Sequence, residues 1–123
     1  EMNCGKLISV QGNENKYSTS FDCYDFINEK RIQVKASSST GPTSFGPRSE
    51  YDELYFVDFN SNGIIDGSYK IYKINNEDID NCKVNKNETV KDQQNLQRRP
   101  RFDIRSKIII PNNIKPIKSG NLN

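Results

Sequence analysis

The sequence predicts a mixed central β-sheet flanked by short helices, of the α/β or α+β class, and three observations lead there. Leu54-Tyr55-Phe56-Val57-Asp58-Phe59 is nearly all aromatic or aliphatic, the signature of a central strand covered on both sides. Two polar segments, opening at Asn75 or Asn76 and at Asn87-Glu88-Thr89, carry helix-capping residues and end within a few turns. Runs rich in Asn, Gly, Ser and Pro separate these elements. With 123 residues the chain can bury one modest core and not two.

In chain order, residues 1–9 read as a helix tail or a short entering strand, and 11–16 as a polar loop. Residues 20–26 and 31–36 read as two strands joined by a turn at Asn28-Glu29. The Ser/Thr/Gly/Pro stretch 37–47 lacks any periodicity and reads as a long loop, a frequent carrier of function. After the central strand 54–59 comes a turn at 60–63, then Ser-Tyr-Lys-Ile-Tyr-Lys-Ile at 68–74, a further strand. A short helix runs through Asn81, and a second spans 90–97 before Pro100 stops it. Residues 102–110 alternate polar and apolar well enough to predict a last strand.

Composition excludes much chemistry. There is no histidine, so no Ser-His-Asp triad, no His-bound zinc and no imidazole base. Cys4, Cys23 and Cys82 are widely spaced and odd in number, which predicts reduced thiols and a cytoplasmic setting. Ile108-Ile109-Ile110, the longest apolar cluster, closes at Pro111 and is far too short to span a membrane. The start, Glu1-Met2-Asn3-Cys4, lacks the basic and apolar regions of a signal peptide, and a chain opening on Glu1 is expected to be a fragment. An enzyme on this chain would rely on carboxylates, Lys, Arg and a hard cation held through oxygen.

The hairpin is where such chemistry concentrates. Alternation on the second strand places Ile32, Val34 and Ala36 on one face, expected to be the core face with Phe21 and Cys23, and Gln33 and Lys35 on the other. A two-residue turn would set Asp22 opposite Lys35 and Tyr24 opposite Gln33, gathering Asp22, Gln33 and Lys35 on one surface. A one-residue change in the turn would bring Asp25 there instead. Phosphodiester hydrolysis needs such groups. Asp22 would hold Mg²⁺, joined by the Gln33 side-chain oxygen or the Val34 backbone carbonyl, with Asp25 or Glu1 as a further ligand. Lys35 would orient water and stabilise the charge of the pentacovalent phosphorus. The competing explanation is a solvent-facing hairpin with an Asp–Lys contact.

Asp22 followed by Gln33-Val34-Lys35 resembles the PD-(D/E)xK nuclease pattern in the variant where Gln replaces the second acid. The run Ile32-Gln33-Val34-Lys35-Ala36-Ser37-Ser38, the loop Thr43-Ser44-Phe45-Gly46-Pro47, Tyr51-Asp52-Glu53-Leu54-Tyr55-Phe56, Asp92-Gln93-Gln94 and Arg98-Arg99-Pro100-Arg101-Phe102 together resemble a small family of type II restriction endonucleases. That resemblance implies a restriction-endonuclease-like core, one nuclease domain over 1–123 without the family's N-terminal helical portion, and a bacterial cytoplasmic setting. It further implies a magnesium-dependent homodimer that cuts both strands of double-stranded DNA at an interrupted palindrome, GCNGC. A non-catalytic DNA-binding module and a repair or junction endonuclease of the same superfamily are the alternatives.

The net charge is only +2, but Arg98, Arg99, Arg101, Arg105 and Lys107 stand against a single acid, Asp103, between 97 and 107. Such segregation favours an anionic partner. Ser37, Ser38, Arg48, Gln94, Arg98, Arg99 and Arg101 are therefore the expected DNA contacts, the arginines to phosphate or guanine. The bland alternative pairs these arginines with the acids at 77–80. Asp58-Phe59-Asn60-Ser61-Asn62-Gly63 matches the opening of an EF-hand loop, yet the twelfth position is Tyr69, so a β-turn is the better explanation. Asn87-Glu88-Thr89 has the letters of a glycosylation site but reads as helix entry.

Overall fold

A computed structural model describes residues 7–8, 21–39, 41–47, 50–60 and 63–123. Glu1, Cys4, the 11–16 loop and Arg48 lie outside them. Along the chain run β1 (Leu7–Ile8), β2 (Cys23–Asp25), β3 (Lys30–Ser37), β4 (Thr43–Ser44), β5 (Glu53–Asp58), β6 (Ser68–Asn75), α1 (Asn76–Asp80), α2 (Val90–Asn95), β7 (Arg101–Phe102), a π-helical turn (Arg105–Ile109) and β8 (Lys118–Asn121). Six strands form one sheet in the order β1-β2-β3-β5-β6-β8, and β4 and β7 form a separate two-stranded ladder. Among the described residues only the β3–β5 pair is parallel. The mixed α+β architecture is the one the sequence predicts, with β5 as central as its composition requires.

One face of the sheet carries the core. Leu54 and Phe56 of β5 and Tyr72 and Ile74 of β6 pack with Ile79, Val90, Ile104 and Ile108 from the helical segments. Each fully buried aliphatic or aromatic side chain contributes roughly 1.5–3 kcal/mol. Gln33 pairs across with Leu54 and Lys35 with Phe56, so the polar residues of β3 stand on the core side of the sheet, at its margin. Here the expectation is overturned. Ile32 is buried, but Val34 is 36% exposed and Ala36 is exposed too, because the helices cover the opposite face. Phe21 joins the core cluster and Tyr24 packs against it, rather than Cys23.

The hairpin register also differs. Cys23 pairs with Ile32, Tyr24 with Arg31 and Asp25 with Lys30, around a four-residue turn instead of a two-residue one. The Asp25 carboxylate builds that turn, accepting from Ile27 N (3.0 Å), Asn28 N (3.3 Å) and Asn28 Nδ2 (2.9 Å). The slip is by two residues, so side-chain parity is unchanged.

The second helix begins as its letters suggest. Thr89 Oγ1 accepts from Asp92 N (3.1 Å) while Asp92 Oδ2 accepts from Thr89 N (2.9 Å), a reciprocal capping box. The expected strand 102–110 is mostly helical. Ile104 and Ile108 are buried four residues apart, a helical spacing, and Asp103 Oδ1 accepts from Arg105 N (3.2 Å) to start the turn. Only Arg101–Phe102 remains extended. β8 has no strand-like pattern and exists through its pairing with β6. Cys23 and Cys82 are thiols.

Candidate active site

Asp22 sits just before β2. Its backbone N–H donates to Ile32 O (2.9 Å), and its carboxylate oxygen Oδ2 accepts from Val34 N (2.8 Å). The acid is thereby fixed against β3 on the side of Gln33 and Lys35, and the Val34 group that meets it is the amide. Asp25, by contrast, acts electrostatically on Tyr55 and Lys73 of the opposite face. The geometry thus brings Asp22 to Lys35 and separates Asp25 from it.

Lys35 lies half-buried, its Nζ 5.1 Å from the centre of the Phe45 ring. Burial lowers its pKa from the ordinary lysine value; the Asp22 carboxylate opposes that shift and the Arg99 guanidinium reinforces it. Phe45 is fully buried and stacks on Phe102 with centroids 5.1 Å apart and planes 10° from parallel. This platform is tied to the basic segment: Phe45 N donates to Pro100 O (2.9 Å), and Thr43 and Ser44 pair with Phe102 and Arg101. Sequence reasoning missed Phe45; a lone aromatic in a Ser/Thr/Gly/Pro loop was the available signal.

The expected DNA contacts separate into distinct environments. Arg99 and Arg101 are exposed, and Arg99 is the one whose charge reaches Lys35. Arg98 is exposed but salt-bridged to Glu88 (3.1 Å). Gln94, expected at the DNA surface, is only 5% exposed, and its Nε2 donates to Gly46 O (2.8 Å), so it ties α2 to the β4 loop. Ser37 Oγ closes a local turn, accepting from Ser39 N and donating to Ser39 O, while Ser38 is exposed. The arginine ion pairs do not go to the 77–80 acids: Arg98 takes Glu88, and Arg105 takes Asp58. That second pair also disposes of the EF-hand resemblance, because Asp58, the would-be first calcium ligand, is 3% exposed and occupied by Arg105.

Among the described residues no group of three or more His, Cys, Asp or Glu could hold a metal. Among the described residues the donor set near Lys35 is one carboxylate, Asp22, with the Gln33 amide two residues before Lys35 on the same face. A single carboxylate with neutral oxygens suits Mg²⁺, which keeps several waters and completes its shell with substrate phosphate. The residues therefore fit that ion and no dedicated cage.

The chain is 36% identical over 115 residues to the type II restriction enzyme Bsp6I of Bacillus sp. (strain RFL6), a stretch covering 90% of this chain and 64% of that protein. No solved structure matches it. The sequence model of the Bsp6I restriction endonuclease family matches residues 2–111, nearly the whole length, and the chain belongs to that family.

Proposed function

We propose that the protein is a Mg²⁺-dependent type II site-specific deoxyribonuclease acting as a homodimer on double-stranded DNA in the bacterial cytoplasm. Family membership supports the nuclease class. The observation that carries the mechanism is the convergence of Asp22 and Lys35 on one side of the sheet, with Arg99 beside them. An interrupted GC palindrome, GCNGC, is the proposed target. As an odd-length site it has two-fold symmetry about a central base, which a two-fold symmetric dimer matches.

Asp22 and Gln33 would hold the ion, with the Val34 carbonyl as the proposed main-chain donor. The bound ion supplies Lewis acidity at the phosphoryl oxygen and lowers the pKa of a water. Asp22 is held by the Val34 N–H, so it meets a cation without first being ordered. Lys35, partly desolvated, gives up its proton more readily than an exposed lysine, so it suits hydrogen bonding to the attacking water. In its protonated form it faces the charge developing on phosphorus.

The test is plasmid incubation with the full-length protein and Mg²⁺. Discrete fragments are expected. Nicking or smearing would mean repair or non-specific cleavage, and intact DNA with a retarded band would mean binding alone. Asp22→Asn and Lys35→Ala should each stop cutting and spare binding; if both still cut, the site lies elsewhere.

A further inference from the structure

The basic segment has one arginine whose position its neighbours do not share. Gln97 adopts a left-handed conformation (φ 61°) that ends the second helix, while Arg98 N returns to Gln93 O (3.0 Å). Arg98 is thereby turned to Glu88. Two residues later Pro100 is buried and its carbonyl is bound by Phe45 N. Arg99 lies between these fixed points, exposed, at the mouth of the β4–β7 ladder. Phe45, the residue bonded to the next carbonyl, carries the Lys35 ammonium on its ring. Arg99 thus adjoins the carbonyl that binds Phe45, and Lys35 lies over the ring of that same residue, so two cations are joined to one platform. An anion between them would relieve the repulsion. A guanidinium presents a planar fork that matches two oxygens of a phosphate, which an ammonium cannot.

We propose that Arg99 binds the reacting phosphodiester itself, as a further catalytic residue alongside Lys35, rather than the flanking backbone or a base. The proposal rests on the nuclease reading above. Arg101, two residues on and in register with Ser44, is left to the flanking DNA.

Full-length wild type, Arg99→Ala, Arg99→Lys and Arg101→Ala are compared. The cut diester is first located by sequencing the ends of plasmid fragments made by the wild type. Single-turnover cleavage by Arg99→Ala should fall about 10²–10³-fold, the loss typical of one transition-state donor, with partial recovery in Arg99→Lys. Binding is then measured without divalent metal on duplexes with a neutral methylphosphonate at the cut diester or three nucleotides away. The penalty at the cut diester should appear for wild type and Arg101→Ala and vanish for Arg99→Ala, while the remote penalty stays in all three. Equal cutting by Arg99→Ala, or an undiminished penalty at the cut diester in that variant, overturns the proposal alone. A wild type that cuts no DNA overturns the nuclease reading and this proposal with it.

Discussion

Two carboxylate–cation groups share the core side of the central sheet, and they are built to opposite ends. Asp58, at the end of β5, is almost wholly enclosed. Arg105 Nε donates to its Oδ2 (2.8 Å), Arg105 Nη2 donates to its Oδ1, and Asn60 N donates to Oδ1 (2.8 Å). The guanidinium also lies over the Phe56 ring, 5.5 Å from its centre. Each charge there is answered by another, so the pair joins the π-helical turn to β5, with the buried Arg105 Nη1 left without a hydrogen-bond partner, 3.9 Å from Asp103 Oδ1. On the β3 side of the same face Asp22 has one oxygen bonded to the Val34 amide, and its charge, like that of Arg99, acts on Lys35. Charge balance marks the first as a structural pair, and the second is the one proposed above to react.

The contrast can be broken at either end. The largest effect is expected at the open group: Lys35→Ala or Asp22→Asn should lower cleavage by about 10³-fold or more, with the thermal midpoint nearly unchanged. Single-turnover cleavage and calorimetry on the same preparations check this. At the closed group the order reverses. Asp58→Ala strands a buried guanidinium and should cost about 3–5 kcal/mol of stability, read as a lower urea midpoint. Replacing both partners together with Asp58→Leu and Arg105→Met should recover most of that loss.

Acid sharpens the same comparison. Burial pushes the Asp58 carboxyl up, but the Arg105 and Asn60 hydrogen bonds and the Arg105 charge outweigh it, leaving the group below the ordinary carboxylate value. The folded state therefore binds this proton more weakly than the unfolded chain. Its stabilisation is complete above the ordinary carboxylate pKa of about 4 and fades as pH falls through the lower folded value. Thermal midpoints measured from pH 6 downward should drop more steeply below about pH 4 in the wild type than in Asp58→Asn.

The smallest effect belongs to an exposed pair. Arg98→Ala breaks only the contact to Glu88 and should change stability by less than about 1 kcal/mol, as urea titration would show. Thr89→Ala, which removes one arm of the capping box, should cost about 1 kcal/mol by the same measurement.

Much of this was legible from the letters, for reasons that differ by element. β5 was readable because Leu54 to Val57 is an unbroken aromatic and aliphatic run of the kind a central strand carries, and the second helix because Thr89 and Asp92 are spaced for reciprocal capping. Asp22, Gln33 and Lys35 could be assigned to one face because alternation depends on parity, which the two-residue slip in register leaves intact. Which face meets the core was not legible. Ile32, Val34 and Ala36 look like an inward stripe, but helices distant in sequence settle on the other side. Residues 102–110 failed for a related reason: their isoleucines fit a period of two as well as a helical spacing, and only the burial of Ile104 with Ile108 decides. Gln94 looked like a base reader because a buried amide and an exposed one have the same letter; its partner is the Gly46 carbonyl, far away along the chain.

The ladder between Thr43–Ser44 and Arg101–Phe102 has a mechanical consequence. It is stitched further by the Phe45–Pro100 bond, the Phe45–Phe102 stack and the Gln94–Gly46 bond, so the two stretches form a single lever. A displacement of the arginine-bearing arm must either sever those stitches or carry the Phe45 ring with it. Since the lysine ammonium rests on that ring, force applied to the arginine-bearing arm is passed on to Lys35.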